Sequence, residues 1–272
     1  MKKTVNKIKL LSFGFSSLTF ISVILRTINL LTAFDSNVGY FDESSPLTHI
    51  TRVSAIISIL FGVVLVIMTK KGKLSDVPPS HNLWTSTSSI ILGFVFLIFS
   101  PLFFMLNMKD LSPTVILIII GALISSVFFV IDGIRAQKEW ASPTSRALLT
   151  IVSCLTLIGI CLSEYFNYFV ALNNPEKILV SLTFISAAVL LMQNARFKAG
   201  NPQPRVHLIF SYAVAFLGAY TSIPGIIGNL AGVLTSPSYL VYYLICFGIT
   251  IYAAANFFSH TALSVLCEES KK

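Results

Sequence analysis

Eight long apolar stretches, separated by short polar segments, run along the chain. We place membrane spans at 10–33, 53–69, 86–107, 113–133, 147–167, 178–194, 206–223 and 238–258. Each is close to the roughly 20 residues that an α-helix needs to cross the hydrocarbon core of a bilayer. The pattern therefore predicts an all-α fold, a polytopic membrane helix bundle with eight transmembrane helices in a single membrane domain, 1–272.

Composition agrees with this pattern and narrows the class of protein. Of the residues, 55% are hydrophobic and 11% are charged, whereas a soluble domain has about 25% charged residues. An ordinary soluble enzyme is excluded. The net charge of +8 would suggest nucleic acid as a partner for a soluble protein, but basic residues in membrane proteins usually mark the cytoplasmic loops. We expect the lipid bilayer as partner and no nucleic acid.

The positions of the basic residues predict the orientation. The odd-numbered loops hold only Arg52, Lys109 and Lys177. The N-terminus, the even-numbered loops and the C-terminal tail hold 15 of the 19 cations: Lys2, Lys3, Lys7, Lys9, Lys70, Lys71, Lys73, Arg135, Lys138, Arg146, Arg196, Lys198, Arg205, Lys271 and Lys272. Because cytoplasmic loops carry the excess of Lys and Arg, both termini are predicted to be cytoplasmic.

An internal duplication is one interpretation of eight spans. Halves of four helices would form two parallel repeats, 1–140 and 141–272. The short segments 18–22 and 149–153 are similar and fall in corresponding first helices. Apolar segments use few residue types, so such matches also arise by chance, and an unduplicated bundle is the alternative.

Sequence signatures of catalysis are absent. The chain has no Gly-x4-Gly-Lys-Ser/Thr phosphate loop, no His-Glu-x2-His zinc pair and no Gly-x-Ser-x-Gly nucleophile turn. Cys154, Cys161 and Cys246 fall within spans and are interpreted as reduced packing residues, with no His or carboxylate at metal-ligand spacing. We expect no cofactor, no metal and no catalytic residue, and enzymatic activity is not favoured.

Polar residues recur every three or four positions in three of the spans, which places them on one helical face. The clearest such stripe is Ser12, Ser16, Thr19, Ser22, Arg26 and Asn29 in the first span. The fifth and eighth spans show the same spacing, whereas the second and fourth are apolar on nearly all sides. Helices one, five and eight are therefore predicted to be central and helices two and four peripheral, although small hydroxyl residues also serve ordinary helix packing.

Arg26 is the unusual member of these stripes. A cation at the centre of a span costs about 2.5 to 3.5 kcal/mol on insertion scales and usually faces the protein interior. Arg26 either extends to the membrane surface or pairs with a carboxylate, or it binds an anionic group in an outward-facing cavity. The candidate partners are Glu164, near the outer end of the fifth helix, and the loop residues Asp35, Asp42 and Glu43.

The seventh apolar stretch continues past one membrane thickness and contains Pro224, Gly225, Gly228 and Gly232. Proline removes a backbone hydrogen bond, and glycine weakens a helix. We expect a break near Pro224 followed by a short or re-entrant outer segment. The alternative is that Gly228 and Gly232 form a helix-contact motif.

The end of the first helix carries a resemblance. Leu25 and Arg26, the segment 30–35 and the segment 39–41 resemble the opening of a family of uncharacterised multi-pass proteins of low-GC Gram-positive bacteria. The resemblance lies within residues 25–41 and implies a bacterial plasma membrane. It implies no substrate or activity.

Three functions remain open. The first is a small-solute transporter or permease-type subunit, with an outward-facing polar cavity between helices one, five and eight. The second is a non-catalytic scaffold or partner subunit, bound to another membrane protein or to a second copy of the chain. The third is an intramembrane enzyme acting on lipid or peptide, for which Glu164, Tyr165, His260 and Asp132 are the general acid or base candidates. For the transporter, the expected substrate-binding residues are Arg26, Asn29, Glu164, Tyr165 and Asn256.

Overall fold

The computed structural model describes residues 2–35, 39–67, 82–109, 111–135, 141–166, 174–234 and 237–269. Within these ranges the helices are α1 Lys2–Ala33, α2 Pro46–Ile67, α3 Leu83–Leu106, α4 Pro113–Ile134, α5 Pro143–Tyr165, α6 Pro175–Lys198, α7 Pro204–Leu230 and α8 Pro237–Glu269. All eight are long and apolar enough to cross a membrane. The chain is a multi-pass membrane protein with an all-α helix bundle, and the eight predicted spans are confirmed.

Most of the helices begin at a proline. Proline has no backbone N–H and a fixed φ, so the first turn of a helix is the position where it costs least. Ser112 and Ser142 cap α4 and α5 by accepting hydrogen bonds from backbone N–H groups of the first turn. The six prolines are Pro46, Pro113, Pro143, Pro175, Pro204 and Pro237. Several predicted spans began later, because hydropathy detects the apolar segment and misses the polar first turn.

Consecutive helices pack against each other, except that α2 and α3 have no extensive contact in the described ranges, and α7 lies in the middle of the bundle. It contacts α1, α2, α6 and α8 and is the most buried helix, with α8 next and α2 the least buried. The central position of α8 and the peripheral position of α2 confirm the prediction. The prediction that α1 is central was wrong, because α1 is less buried than α7. Helix α7 takes the central position because its small residues Ala215, Gly218 and Ala219 let neighbouring helices approach closely.

The predicted break in the seventh helix was wrong. Helix α7 is continuous through Pro224, which is buried between neighbouring helices. A proline inside a packed membrane helix is tolerated because its neighbours and local adjustments compensate for the lost hydrogen bond. Gly228 is a contact residue, since a Cβ there would lie 2.5 Å from Leu30 Cδ2 of α1. Gly232, with φ 75°, follows the end of the helix in the conformation typical of a C-terminal cap.

A small hairpin follows α1, and the sequence pattern did not predict it. Strand β1, Phe34–Asp35, pairs antiparallel with β2, Tyr40–Phe41. Gly39 adopts φ 77° in the turn, a conformation that glycine adopts without steric cost. We call the end of the bundle that carries this hairpin the outer end, following the predicted orientation, and the opposite end the inner end.

Candidate solute-binding cavity

Arg26 of α1 is buried in the outer half of the bundle, with 4% of its surface exposed. Its Nη2 donates a hydrogen bond to Oε1 of Glu176, in the first turn of α6, and the two side chains form a buried ion pair. Tyr243 Oη of α8 donates to the other carboxylate oxygen of Glu176 at 2.8 Å. The partner of Arg26 is therefore Glu176, and the predicted pairing with Glu164 was wrong.

The start of α6 explains why the sequence analysis missed Glu176. Hydropathy placed the sixth span at 178, which left Glu176 in a loop. In the structure the Asn174 side chain accepts hydrogen bonds from the backbone N–H groups of Glu176, at 2.9 Å, and Lys177, at 3.3 Å. Asparagine, proline and an acidic residue in succession are typical of a helix start. That signal would have extended α6 to Pro175 and brought Glu176 into the membrane.

The rest of the Arg26 guanidinium lies between aromatic rings. Its Cζ is 4.8 Å from the centroid of the Tyr220 ring and 5.6 Å from that of Phe41. Such cation–π contacts partly replace the lost hydration of the cation. Its Nε has no hydrogen-bond partner within the described part of the chain. Arg26 thus carries a compensated charge and an unused donor.

A cavity of about 360 Å³ adjoins Arg26. This volume lies within the range of ordinary small-molecule sites, roughly 300 to 1,000 Å³. The residues that line it come from α1, the hairpin, α2, α6 and α7: Arg26, Asn29, Phe41, Thr48, Thr51, Arg52, Ala55, Ile56, Pro175, Ile178, Leu179 and Tyr220. The cavity beside Arg26 therefore exists, but it lies between α1, α2, α6 and α7, whereas the sequence placed it between helices one, five and eight.

Asn29 lies on the cavity wall, one helical turn beyond Arg26. Its Oδ1 accepts a hydrogen bond from Thr48 Oγ1 of α2 at 3.1 Å. The same hydroxyl lies 2.9 Å from the backbone oxygen of Asp42. These contacts hold the start of α2 against α1, so Asn29 shapes the cavity as well as lining it.

Glu164 and Tyr165 do not line this cavity. Glu164 is buried and accepts a hydrogen bond from Tyr239 Oη of α8 at 3.0 Å. Tyr165 is half-exposed at the end of α5, where its ring packs against that of Phe166. The sequence put both residues at the correct end of the bundle, but it assigned them to the same seam as Arg26.

Asn256 belongs to a second polar group, in the inner half of the bundle. It donates a hydrogen bond to the Tyr252 backbone oxygen at 2.8 Å, and Tyr252 Oη accepts one from Asn194 of α6 at 3.0 Å. Asn194 Oδ1 lies 2.8 Å from His207 Nε2 of α7, and His207 Nδ1 lies 3.1 Å from His260 Nδ1 of α8. The histidines are scattered in the sequence, and helix packing joins these two.

Asp132 forms a separate ionic cluster at the inner end. Its Oδ1 accepts hydrogen bonds from Arg146 Nε and Nη2, at 3.1 and 2.8 Å, and its Oδ2 accepts one from Lys198 Nζ at 2.9 Å. The sequence assigned Arg146 and Lys198 to loops, whereas they lie in α5 and α6. Asp132 and His260 are thus far along the bundle from Glu164, and the four acid–base candidates form no common site.

Comparison of the chain with protein-family models, curated proteins and solved structures found no match.

Proposed function

We propose that this multi-pass membrane protein is a small-solute transporter or permease-type subunit of a bacterial plasma membrane, and that it binds its solute in the cavity beside Arg26. The observation that carries the proposal is the combination of a buried cation, its unused Nε donor and an adjoining space of about 360 Å³. Arg26 and Asn29 are the predicted site residues that this proposal retains.

Physical chemistry favours this function over a scaffold. A buried ion pair contributes little net stability, and apolar residues of similar volume often stabilise a protein more. A scaffold would gain from filling the space next to Arg26, because an unfilled cavity costs packing energy. A solute-binding protein instead needs both the charge and the space.

Buried polar side chains also extend from the cavity level toward the inner end along α7. Thr221 Oγ1 of α7 lies 3.3 Å from Thr183 Oγ1 of α6. Ser211 Oγ is buried with no hydrogen-bond partner among the residues described, and His207 lies one turn further inward. A transporter that alternates between faces needs polar groups at both depths, and this series supplies them.

Flux across a reconstituted bilayer tests the function. Purified full-length protein in liposomes should give saturable uptake of inorganic phosphate or glycerol 3-phosphate, or saturable transbilayer movement of a fluorescent phosphatidylglycerol. The Arg26→Gln variant should lose this flux. Lys109→Gln removes an exposed outer cation that does not line the cavity and should retain it.

Flux no greater than in protein-free liposomes for all three probes would reject the transporter. The scaffold would then replace it. An intramembrane enzyme is not supported by the geometry, because Glu164 and Tyr165 lie at the outer end, away from Asp132 and His260.

A further inference from the structure

We propose that the cavity beside Arg26 receives the anionic head of a membrane amphiphile, which enters sideways from the bilayer between α2 and α6. The shared chemistry of the ligand is a phosphate or carboxylate carried on an acyl chain. This inference rests on the proposed function, because it names the class of solute that the same cavity would bind. Four observations carry it: the position of the opening, its depth, the charge of the lining and the covered outer end.

The opening lies between two helices that leave a gap. Helices α2 and α6 both pack against α7, but no extensive contact joins α2 to α6 in the described ranges. Ile56 of α2 and Ile178 of α6 line the cavity and are exposed at 58% and 43%. Exposed apolar side chains on membrane-spanning helices face lipid. The rim of the cavity is therefore in contact with acyl chains.

The depth of the cavity matches the headgroup and upper acyl region of one leaflet. Arg26 is seven residues before the end of α1, or about 10 Å at the helical rise. Ile56 is ten residues after the start of α2, or about 15 Å along that helix. The hydrocarbon core is about 30 Å thick, so the cavity lies in the outer half of the membrane.

Among the described residues that line the cavity, the charged ones are both cations. Arg26 forms part of the wall, where its Nε is buried without a hydrogen-bond partner among the described residues, and Arg52 lies on the rim with about half of its side chain exposed. Arg52 forms a long, exposed contact with Glu43 at 3.4 Å, which is worth little in solvent. Glu176 compensates Arg26 but does not line the cavity. An anionic head at this lining would therefore face two cations and no carboxylate of the described residues.

The hairpin restricts access from the aqueous side. Phe41 of β2 is buried and forms part of the cavity wall. Asn174 Nδ2, at the start of α6, donates a hydrogen bond to the Gly39 backbone oxygen at 3.0 Å and ties the hairpin to α6. The remaining walls include Ala55 and Leu179. A soluble anion would lose hydration in these apolar surroundings and gain only the contacts with the two arginines, whereas an acyl chain also gains from burial against the apolar walls.

Native mass spectrometry of the full chain in a neutral detergent tests the inference. The probes are phosphatidylglycerol, phosphatidylcholine and glycerol 3-phosphate. Phosphatidylglycerol should bind at least tenfold more tightly than phosphatidylcholine, which has the same chains but a zwitterionic head. Glycerol 3-phosphate, an anion without chains, should neither bind at comparable concentration nor displace phosphatidylglycerol.

Two variants locate the site. Arg26→Gln should weaken phosphatidylglycerol binding at least tenfold, while Lys109→Gln leaves it unchanged. Because Arg26→Gln also breaks the ion pair with Glu176, Leu179→Trp provides a second test that fills the cavity and keeps the pair. It should abolish the selective binding while the protein retains its cooperative thermal unfolding.

Each remaining result overturns the inference. Equal affinity for phosphatidylglycerol and phosphatidylcholine would show that the site does not recognise an anionic head. Tight binding of glycerol 3-phosphate would show that the cavity binds soluble anions. Unchanged binding in Leu179→Trp would place the lipid elsewhere. The proposed function fails separately: selective lipid binding without flux rejects the transporter alone, and flux of phosphate without lipid binding rejects only this inference.

Discussion

Glu176 forms a buried ion pair with Arg26 beside the cavity and joins α6 to α1, two helices that have no extensive contact with each other in the described part of the chain. The two residues are 150 positions apart in the sequence. Their ion pair is therefore a bridge between helices that flank an unfilled space. A ligand that binds Arg26 would lie next to this ion pair. Binding there would therefore affect the contact that joins α1 to α6.

Breaking the bridge should destabilise the protein. Removing one partner of a buried ion pair leaves an uncompensated charge and costs about 3 to 5 kcal/mol. We expect Arg26→Gln and Glu176→Gln each to lower the free energy of unfolding in detergent by about that amount. The double variant should lose clearly less than the sum, because neither charge is then left alone. Strictly additive losses would show that the two side chains do not interact.

Glu164 provides the matched control for this cycle. It is another buried carboxylate near the outer end, and it accepts its hydrogen bond from Tyr239. Combining Glu164→Gln with Arg26→Gln should give additive losses, since the two side chains are not in contact. A coupling energy as large as that between Arg26 and Glu176 would instead support Glu164 as the partner of Arg26, as the sequence predicted.

In the ionic cluster at the inner end, removing the carboxylate should destabilise the protein more than removing one of the two cations. Asp132 balances both Arg146 and Lys198. Asp132→Asn should leave two partly buried cations close together and lower the free energy of unfolding by about 3 kcal/mol, the lower end of the range for breaking a buried pair. Lys198→Met leaves the Asp132–Arg146 pair intact and should cost less. Chemical unfolding monitored by circular dichroism measures both, and an equal or larger loss for Lys198→Met would contradict the assignment.

Because α3 packs closely against α4, alanine should destabilise the protein more at Gly93 of α3 than at Gly159 of α5. A Cβ on Gly93 would lie 2.9 Å from the Ser126 backbone oxygen, which cannot move without shifting α4. Gly93→Ala should therefore lower the free energy of unfolding by about 1 to 3 kcal/mol. In Gly159→Ala the new methyl would meet only the Ile118 side chain, at 3.1 Å, so its effect should be smaller. The reverse order in thermal unfolding would show that α3 and α4 are further apart.

Orientation in the membrane is open to a direct check. In a cysteine-free background, Glu43→Cys at the outer end should react with an impermeant maleimide on intact cells. Asn201→Cys, exposed between α6 and α7, should react only after permeabilisation. Labelling of Asn201→Cys from outside would invert the predicted orientation, and with it the leaflet that faces the cavity.

The eight helices were predictable because a bilayer imposes one length and one hydropathy on each span. Which helices pack against each other was not predictable, since packing depends on which small residues allow close approach. Gly62 illustrates this: a Cβ there would lie 2.2 Å from the Tyr212 ring, whose hydroxyl donates to the Ser58 backbone oxygen at 2.6 Å. The polar stripes identified buried faces, but a stripe does not name its partner helix.

The candidate site was predictable in part. Arg26 stands out in any hydropathy profile, and its cost in lipid predicts both burial and a counter-charge. Its partner was missed because Glu176 belongs to a polar first turn that hydropathy assigns to a loop. The two proposed half-repeats, 1–140 and 141–272, stay a prediction. The roles of Glu164, Tyr165 and Asn256 toward a solute also stay predictions. Helix packing places these three residues away from the cavity beside Arg26.

Photocrosslinking tests the central claim, that the cavity beside Arg26 binds an anionic amphiphile, most directly. The protein is reconstituted in bilayers that contain phosphatidylglycerol with a photoreactive group near its head, and the modified residues are mapped by mass spectrometry. We predict that the label concentrates on the α2 and α6 walls at Ala55, Ile56, Ile178 and Leu179, and that photoreactive phosphatidylcholine does not reproduce it. Label spread evenly over the lipid-facing sides of the helices, or the same pattern with both lipids, would contradict the account.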